Sequence, residues 1–195
     1  MEGGSERWKQ KIAEGKRSGR LHLAACNLSK LPAGFAAAVK SAIPNLTEID
    51  LKSNQFSELP EELGELKPVH TVRLNYNQLE KFPRVLTALP KLSRLELSGN
   101  MLAQLQGLER LAALREVDLS GNQLSFFPAE LCECRALVHL NLENNRIKSL
   151  PEELAQLQQL EVLDLSSNRL SELPRAVGQL SNMRSCDLHG NNLQS

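Results

Sequence analysis

Residues 163–170 read Leu163-Asp164-Leu165-Ser166-Ser167-Asn168-Arg169-Leu170, and this stretch decides the fold because versions of it recur along the chain. The shared pattern is Leu-x-Leu-x-x-Asn-x-Leu, in which other apolar residues replace some of the leucines. The interval between copies is 28 residues after the first copy and 22 or 23 residues thereafter, which indicates stacked structural repeats. Eight residues occupy the Asn slot: Cys26, Asn54, Asn77, Asn100, Asn122, Asn145, Asn168 and Asn191.

Each copy has two halves with different expected structures. The Leu-x-Leu alternation predicts a short strand with one buried face, and the Asn that follows suits a tight bend because its amide can bond to backbone groups. The second half of most copies follows the pattern Leu-Pro-x-x-Leu, which is exact at residues 59–63 and 150–154 and has Phe or Val in place of a Leu elsewhere. Proline starts a helical turn at little cost, so we expect one or two turns, partly 3₁₀, in that half. The copy that begins at Leu95 lacks the proline and is one residue shorter.

These copies resemble the leucine-rich repeat family, whose pattern is Leu-x-x-Leu-x-Leu-x-x-Asn/Cys-x-Leu. The resemblance covers residues 20 to 193, and the Leu-Pro-x-x-Leu spacing is similar to that of small intracellular members of the plain or Ras-group-related type. It implies an α/β solenoid, a horseshoe with a parallel concave sheet and short helical or 3₁₀ turns on the convex side. It also implies a non-enzymatic scaffold or adaptor. Such members commonly regulate GTPases, phosphatases or ubiquitin ligases, and nothing in this sequence selects among them.

The ends of a solenoid expose its core unless they are covered. Trp8 and Ile12 stand four residues apart, on one face of a helix. We therefore predict an N-terminal capping helix within residues 1–19 and an array of eight copies in residues 20–195. A second helix is expected in the Ala-rich segment 35–43, where the interval between copies is longest.

The N-terminal segment also supports a different hypothesis. Its basic residues could act on acidic lipid or RNA, which would make the chain a peripheral membrane or RNA-associated protein. Glu2, Glu6 and Glu14 argue against that alternative, and the single Trp is better used in packing. The basic residues concerned are Arg7, Lys9, Lys11, Lys16, Arg17 and Arg20.

The amino-acid composition argues against several other classes of protein. The chain has 195 residues, 38 of them Leu, and its 23 basic and 23 acidic residues cancel, which argues against a general nucleic-acid binder. There is no apolar stretch near the roughly 20 residues of a membrane span and no apolar core of a secretory signal. Four scattered cysteines suggest free thiols. We expect a cytoplasmic protein, and a monomer rather than an array that pairs through the open edge of its last copy.

The outward positions of the predicted strands form three columns on the concave face. The last four copies contribute carboxylates to these columns but no Lys or Arg, whereas the first four mix both signs. The first column reads Arg20, Glu48, Thr71, Arg94, Glu116, His139, Val162 and Ser185. The second reads His22, Asp50, Arg73, Glu96, Asp118, Asn141, Asp164 and Asp187. The third reads Ala24, Lys52, Asn75, Ser98, Ser120, Glu143, Ser166 and His189.

An acidic concave face would attract a protein partner with a basic surface. The alternative is that these residues only keep a solvated sheet face polar, and the sequence leaves both interpretations open. Tyr76 adds an aromatic residue of the kind that anchors interfaces, or a simple loop-edge residue. The partner-binding residues that we predict are Arg73, Tyr76, Arg94, Glu96, Glu116, Asp118, His139, Asn141, Glu143 and Asp164.

Patterns for catalysis or metal binding are weak. The histidines of the inner face, His22, His139 and His189, are far apart along the repeats. Cys132-x-Cys134 does not have the C-x-x-C spacing of redox or zinc sites, and both residues suit small apolar positions. There is no Gly-rich phosphate loop and no Ser–His–Asp set. We therefore expect no catalytic residue, no metal and no cofactor.

Overall fold

A computed structural model describes residues 3–194, with side chains from residue 8 onward. Eight strands of three residues form one parallel sheet in which every strand pairs with the next strand along the chain. The Leu-x-Leu segments thus form the sheet that the repeats predict. The strands are β1 Arg20–His22, β2 Glu48–Asp50, β3 Thr71–Arg73, β4 Arg94–Glu96, β5 Glu116–Asp118, β6 His139–Asn141, β7 Val162–Asp164 and β8 Ser185–Asp187.

The opposite side of the solenoid is built from short helices. There α2 spans Phe35–Ala42, where the long interval predicts a helix, whereas α1, which spans Gly3–Gly15, lies at the first end of the array. Five of the six 3₁₀ helices are five residues long and directly follow a proline. The shorter fourth copy has Gly107 at that place, and its 3₁₀ helix has only three residues. The 3₁₀ helices are Glu61–Glu65, Arg84–Ala88, Leu108–Arg110, Ala129–Glu133, Glu152–Gln156 and Arg175–Gln179.

One continuous hydrophobic core runs between the sheet and these helices. The middle residue of each strand from β1 to β7 is buried, and so is the Leu two positions later. Cys132 and Cys134 belong to the same core. Burial raises the pKa of the Cys132 thiol to about 11 and that of Cys134 to about 12, so both thiols are held protonated as small core residues.

Asparagines join neighbouring coils of the solenoid. The Asn122 amide donates from Nδ2 to the carbonyl oxygens of Leu97 and Leu119, both at 3.0 Å, and its Oδ1 accepts from the Leu102 amide at 3.0 Å. Equivalent bonds occur at Asn54, Asn77, Asn100, Asn145, Asn168 and Asn191. In the first coil, Cys26 stands in the slot and its thiol donates to the Ala24 carbonyl oxygen at 3.4 Å.

The residue before each Asn slot has a left-handed backbone, with φ between 53° and 66°. This conformation lets the chain leave the strand and turn into the bend. We call this row of residues the rim, because it borders the concave face where the strands end. The rim consists of Ala25, Ser53, Tyr76, Gly99, Gly121, Asn144, Ser167 and Gly190.

The two ends of the array differ. Helix α1 lies against β1, with Ile12 buried and the Trp8 ring 6.1 Å from that of Phe35. At the other end, Cys186 in β8 is exposed, although the equivalent Leu163 in β7 is fully buried. A domain boundary between residues 19 and 20 remains a prediction, and residues 1, 2 and 195 lie outside the described part.

Candidate protein-binding face

The strand register brings the outward side chains into the first two of the three predicted columns. Glu116 pairs with His139 and His139 with Val162, while Asp118 pairs with Asn141 and Asn141 with Asp164. The concave face is therefore a regular polar surface. Its two halves differ in whether their charged side chains form ion pairs with one another.

A continuous series of ion pairs, which we call the ion ladder, runs through β2 to β4 of the first half and ends on Glu116 of β5. Arg73 contacts Glu48 and also Glu96, the latter from Nε to Oε1 at 3.1 Å. Arg94 then joins Glu96 at 2.9 Å to Glu116 at 2.7 Å. The ion ladder is formed by Glu48, Arg73, Glu96, Arg94 and Glu116, and Arg20 reaches its first carboxylate at 3.6 Å.

Charges in the ladder stabilise one another. Burial of Glu96 alone would raise the pKa of its carboxyl, but hydrogen bonds from Arg94 and Asn75 and the charge of Arg73 lower that pKa below its ordinary value. Burial likewise opposes the charged form of Arg73, and the contacts with Glu48 and Glu96 outweigh it and raise the pKa of Arg73. The charged side chains of the ion ladder are therefore already paired with one another.

The second half contains two carboxylates, Asp118 and Asp164, that form no ion pair among the described residues. Asp118 Oδ1 accepts hydrogen bonds from the Ser120 amide at 3.0 Å and its hydroxyl at 2.7 Å. Asp164 makes the same pair of bonds with Ser166, at 2.9 and 2.7 Å. Each aspartate thus fixes the turn after its strand, a local role that our sequence reasoning missed although the Asp-x-Ser spacing signals it. Among the described residues, no Lys, Arg or His forms an ion pair with either carboxylate.

A shallow depression of about 230 Å³ lies on this face across β4 to β7. Val162 also lines it and was not among the predicted residues, although an apolar residue in an otherwise polar column is a visible signal. Seven of the ten predicted residues line the depression: Arg94, Glu96, Glu116, Asp118, His139, Asn141 and Asp164.

The other three predicted residues lie outside the depression. Arg73 is engaged in the ion ladder, with its side chain 25 % exposed. Glu143 is exposed, and its backbone amide donates to Asn141 Oδ1 at 2.9 Å. Tyr76 stands on the rim and is 62 % exposed, which makes it one of the most exposed large apolar residues of the described chain.

The histidines are separate from one another. His22 lies 3.7 Å from Asp50 in β2, and His139 lies 4.0 Å from Glu116 in β5. His189 Nδ1 contacts Asp187 Oδ1 at 2.8 Å, and this hydrogen bond raises the pKa of the imidazole. Across the described residues, no group of three or more His, Cys, Asp or Glu side chains is arranged to hold a metal ion.

The N-terminal helix has its own charge pattern. Lys11 Nζ contacts Glu14 at 2.8 Å, whereas Lys9, Lys16 and Arg17 are exposed. The side chain of Arg7 lies outside the described part. No helix within the described residues has the length and apolar character needed to cross a bilayer.

Family models agree with this architecture. Residues 44–102 and 135–193 match the model described as Leucine rich repeat, and residues 113–134 match a second model of the same description. The chain belongs to the leucine-rich repeat family. Its sequence pattern, its parallel sheet and its Asn-linked coils are those of this family.

Curated relatives share the repeats over a small part of their own length. Dynein regulatory complex subunit 7 of Chlamydomonas reinhardtii is 39 % identical over 72 residues, which are 37 % of this chain and 6 % of that protein. Human PH domain leucine-rich repeat-containing protein phosphatase 1 is 35 % identical over 103 residues, 52 % of this chain and again 6 % of the relative. The similarity therefore concerns a repeat segment of much longer proteins.

Solved structures show the same fold over most of the chain. A leucine-rich repeat protein of Leptospira interrogans superposes with a TM-score of 0.78 at 26 % identity, covering 97 % of this chain and 58 % of the other. The plant peptide hormone receptor RGFR1 in complex with RGF2 gives a TM-score of 0.68 at 28 % identity, covering 83 % of this chain and 26 % of that one.

Proposed function

We propose that this protein is a non-enzymatic interaction scaffold or adaptor that binds a protein partner on its concave strand face. The observation on which the proposal rests is the division of that face. The ion ladder neutralises the first half, while Asp118, Glu143 and Asp164 in the second half form no ion pair within 4.0 Å among the described residues. Membership of the leucine-rich repeat family supports a protein-binding role, and a similar fold serves as a peptide hormone receptor.

The partner that this surface favours has a basic patch. Unpaired carboxylates attract cationic side chains and accelerate productive encounter, and a preformed sheet loses little conformational entropy on binding. We further propose that the protein acts as a cytoplasmic monomer in signalling. Its four cysteines are all free, which suits a reducing compartment, and its relatives include a subunit of a dynein regulatory complex.

Charge reversal tests the face directly. Asp118→Lys combined with Asp164→Lys should abolish partner capture in pull-down experiments. The double variant also loses the hydrogen bonds to Ser120 and Ser166, so its melting temperature should fall by a few degrees, and capture is measured at a temperature at which it remains folded. The matched control is Glu61→Lys with Glu153→Lys, which alters net charge equally on the exposed convex side. Capture that survives the concave reversal and disappears in the convex control would place the binding site on the other side of the solenoid.

The competing hypothesis assigns function to the basic N-terminal segment, where Lys9, Lys16 and Arg17 are exposed without an ion pair among the described residues. It requires binding to acidic vesicles or RNA that is lost when these three residues are changed to Glu. Under the concave-face proposal, the same triple variant retains partner capture.

A further inference from the structure

Tyr76 occupies an unusual place for a large side chain. Its φ is 56°, a left-handed conformation in which side chains are disfavoured, and equivalent rim positions hold Ser53, Ser167 and three glycines. The fold therefore accepts much smaller residues at this position. The tyrosine is also 62 % exposed, so core packing does not explain its presence.

The next coil holds one edge of the tyrosine ring. A Cβ atom placed on Gly99 would lie only 2.5 Å from Tyr76 Cδ1 and 2.8 Å from Cε1, so the ring edge lies directly against bare backbone. Gly121 has nearly the same φ, 63° against 64°, but a Cβ there would meet only the Gly99 backbone, at 3.5 Å or more. Gly99 thus restricts the ring, while most of the Tyr76 surface stays open to solvent.

Charge around the ring indicates what it would bind. Tyr76 borders a concave face whose far half has unpaired carboxylates, so approaching side chains are selected for positive charge. The arginines of this chain in the same and the next strand, Arg73 and Arg94, are both bound to carboxylates of the ion ladder. A guanidinium is both cationic and planar, and it stacks on aromatic rings more readily than an ammonium group does.

We infer that Tyr76 is an anchor that stacks an arginine side chain of the partner, and that Gly99 positions its ring for this contact. The inference rests on the proposed function, because it assumes that the concave face receives a basic protein segment. It adds the chemistry of that segment: an arginine at the Tyr76 end, followed by basic residues that reach the carboxylates near Asp118 and Asp164.

Two peptide probes, four single variants and the double variant Asp118→Lys with Asp164→Lys test the inference. Nona-arginine and nona-lysine have equal charge, so a difference between their Kd values reports guanidinium stacking. Tyr76→Ser should weaken nona-arginine binding about two- to five-fold, whereas Tyr76→Phe, which keeps the ring, should not. Gly99→Ala should weaken it similarly by displacing the ring. Gly121→Ala imposes comparable backbone strain without touching Tyr76 and is the matched control.

The outcomes separate the inference from the proposed function. If Tyr76→Ser and Gly99→Ala lower nona-arginine affinity while nona-lysine affinity barely changes, the anchor is established. If Tyr76→Ser binds both peptides like the wild type, but Asp118→Lys with Asp164→Lys abolishes binding, the anchor is wrong and the concave site stands. If neither set of changes affects binding, both proposals fail. Melting temperatures of all variants exclude unfolding as the cause of a loss.

Discussion

At the scale of single residues, the Asn slot links each coil to its neighbour through one side chain. In Asn122, a single buried amide satisfies two carbonyl oxygens and one backbone amide, and these groups belong to two coils. The repeated asparagine is therefore a structural requirement of the stack. Its recurrence reports the fold, whereas function depends on positions that vary from coil to coil.

Removing one such side-chain amide should lower the free energy of unfolding. We expect Asn122→Ala to destabilise the protein by about 1–3 kcal/mol, because the buried Leu102 amide loses its acceptor. The carbonyl oxygens of Leu97 and Leu119 each lose one of two amide donors and keep the other, from Asn100 and Asn145. The midpoint of urea unfolding measures this change.

Asn191 provides the internal comparison. It makes the same three bonds but is only half-buried, so water can replace its amide. Asn191→Ala should cost about 1 kcal/mol or less. Equal losses in the two variants would show that burial of the amide is not what makes the slot important.

Residue patterns predict part of the candidate site. The columns of the concave face follow from the period of two within each strand, and the structure places these side chains in the predicted order. Two features depend on information that the pattern lacks. The ion ladder requires side-chain conformations that span several coils, and the contact of Tyr76 with Gly99 requires the left-handed backbone of the rim.

At the scale of elements, α1 and β1 meet at a close contact. A Cβ atom on Gly15, the last residue of α1, would lie 2.4 Å from the Arg20 carbonyl oxygen and 2.7 Å from Ile43 Cδ1. Gly178, in the last 3₁₀ helix, has open space at the corresponding position. Glycine is thus needed at the end of α1 for packing and is not needed in the last helix.

We expect Gly15→Ala to lower the melting temperature by several degrees, because the helix must move away from the first coil. Differential scanning calorimetry measures the shift, and about 1–3 kcal/mol is typical of such overpacking. Gly178→Ala should leave the transition unchanged or raise it slightly. A Gly15→Ala protein as stable as the wild type would mean that α1 contributes little to the first coil.

The places of the 3₁₀ helices could be predicted because a proline, or Gly107 in the fourth coil, directly precedes each of them. Each five-residue 3₁₀ helix follows a proline, and the fourth coil, where the proline is missing, has the shortest helix. The exposure of Cys186 was not visible in the repeat pattern. It depends on the absence of a following coil among the described residues, which is a property of position in the array.

At the scale of the whole molecule, the ion ladder makes stability depend on pH. The pKa of Glu96 is lower in the folded protein than its ordinary value of 4.5. A carboxyl with a lowered folded pKa stabilises the protein above its unfolded pKa, and this contribution is lost as the pH falls through the folded value. Acidification should therefore weaken the sheet where the ladder crosses it.

We expect the melting temperature to fall more steeply in the wild type than in Glu96→Gln between about pH 5 and pH 3. Thermal melts followed by circular dichroism measure both curves. Glu61→Gln, at an exposed convex position, controls for the general effect of removing one acid. Parallel curves for the wild type and Glu96→Gln would show that the ladder does not contribute to stability.

The even spacing of the strands sets the length of the peptide segment that can span the concave sheet. Parallel strands lie about 4.8 Å apart, so the four intervals from the coil of Tyr76 to that of Asp164 measure about 19 Å. An extended polypeptide advances about 3.3 Å per residue. A recognition segment of about six residues therefore spans this distance, and a shorter peptide would reach only one end of it.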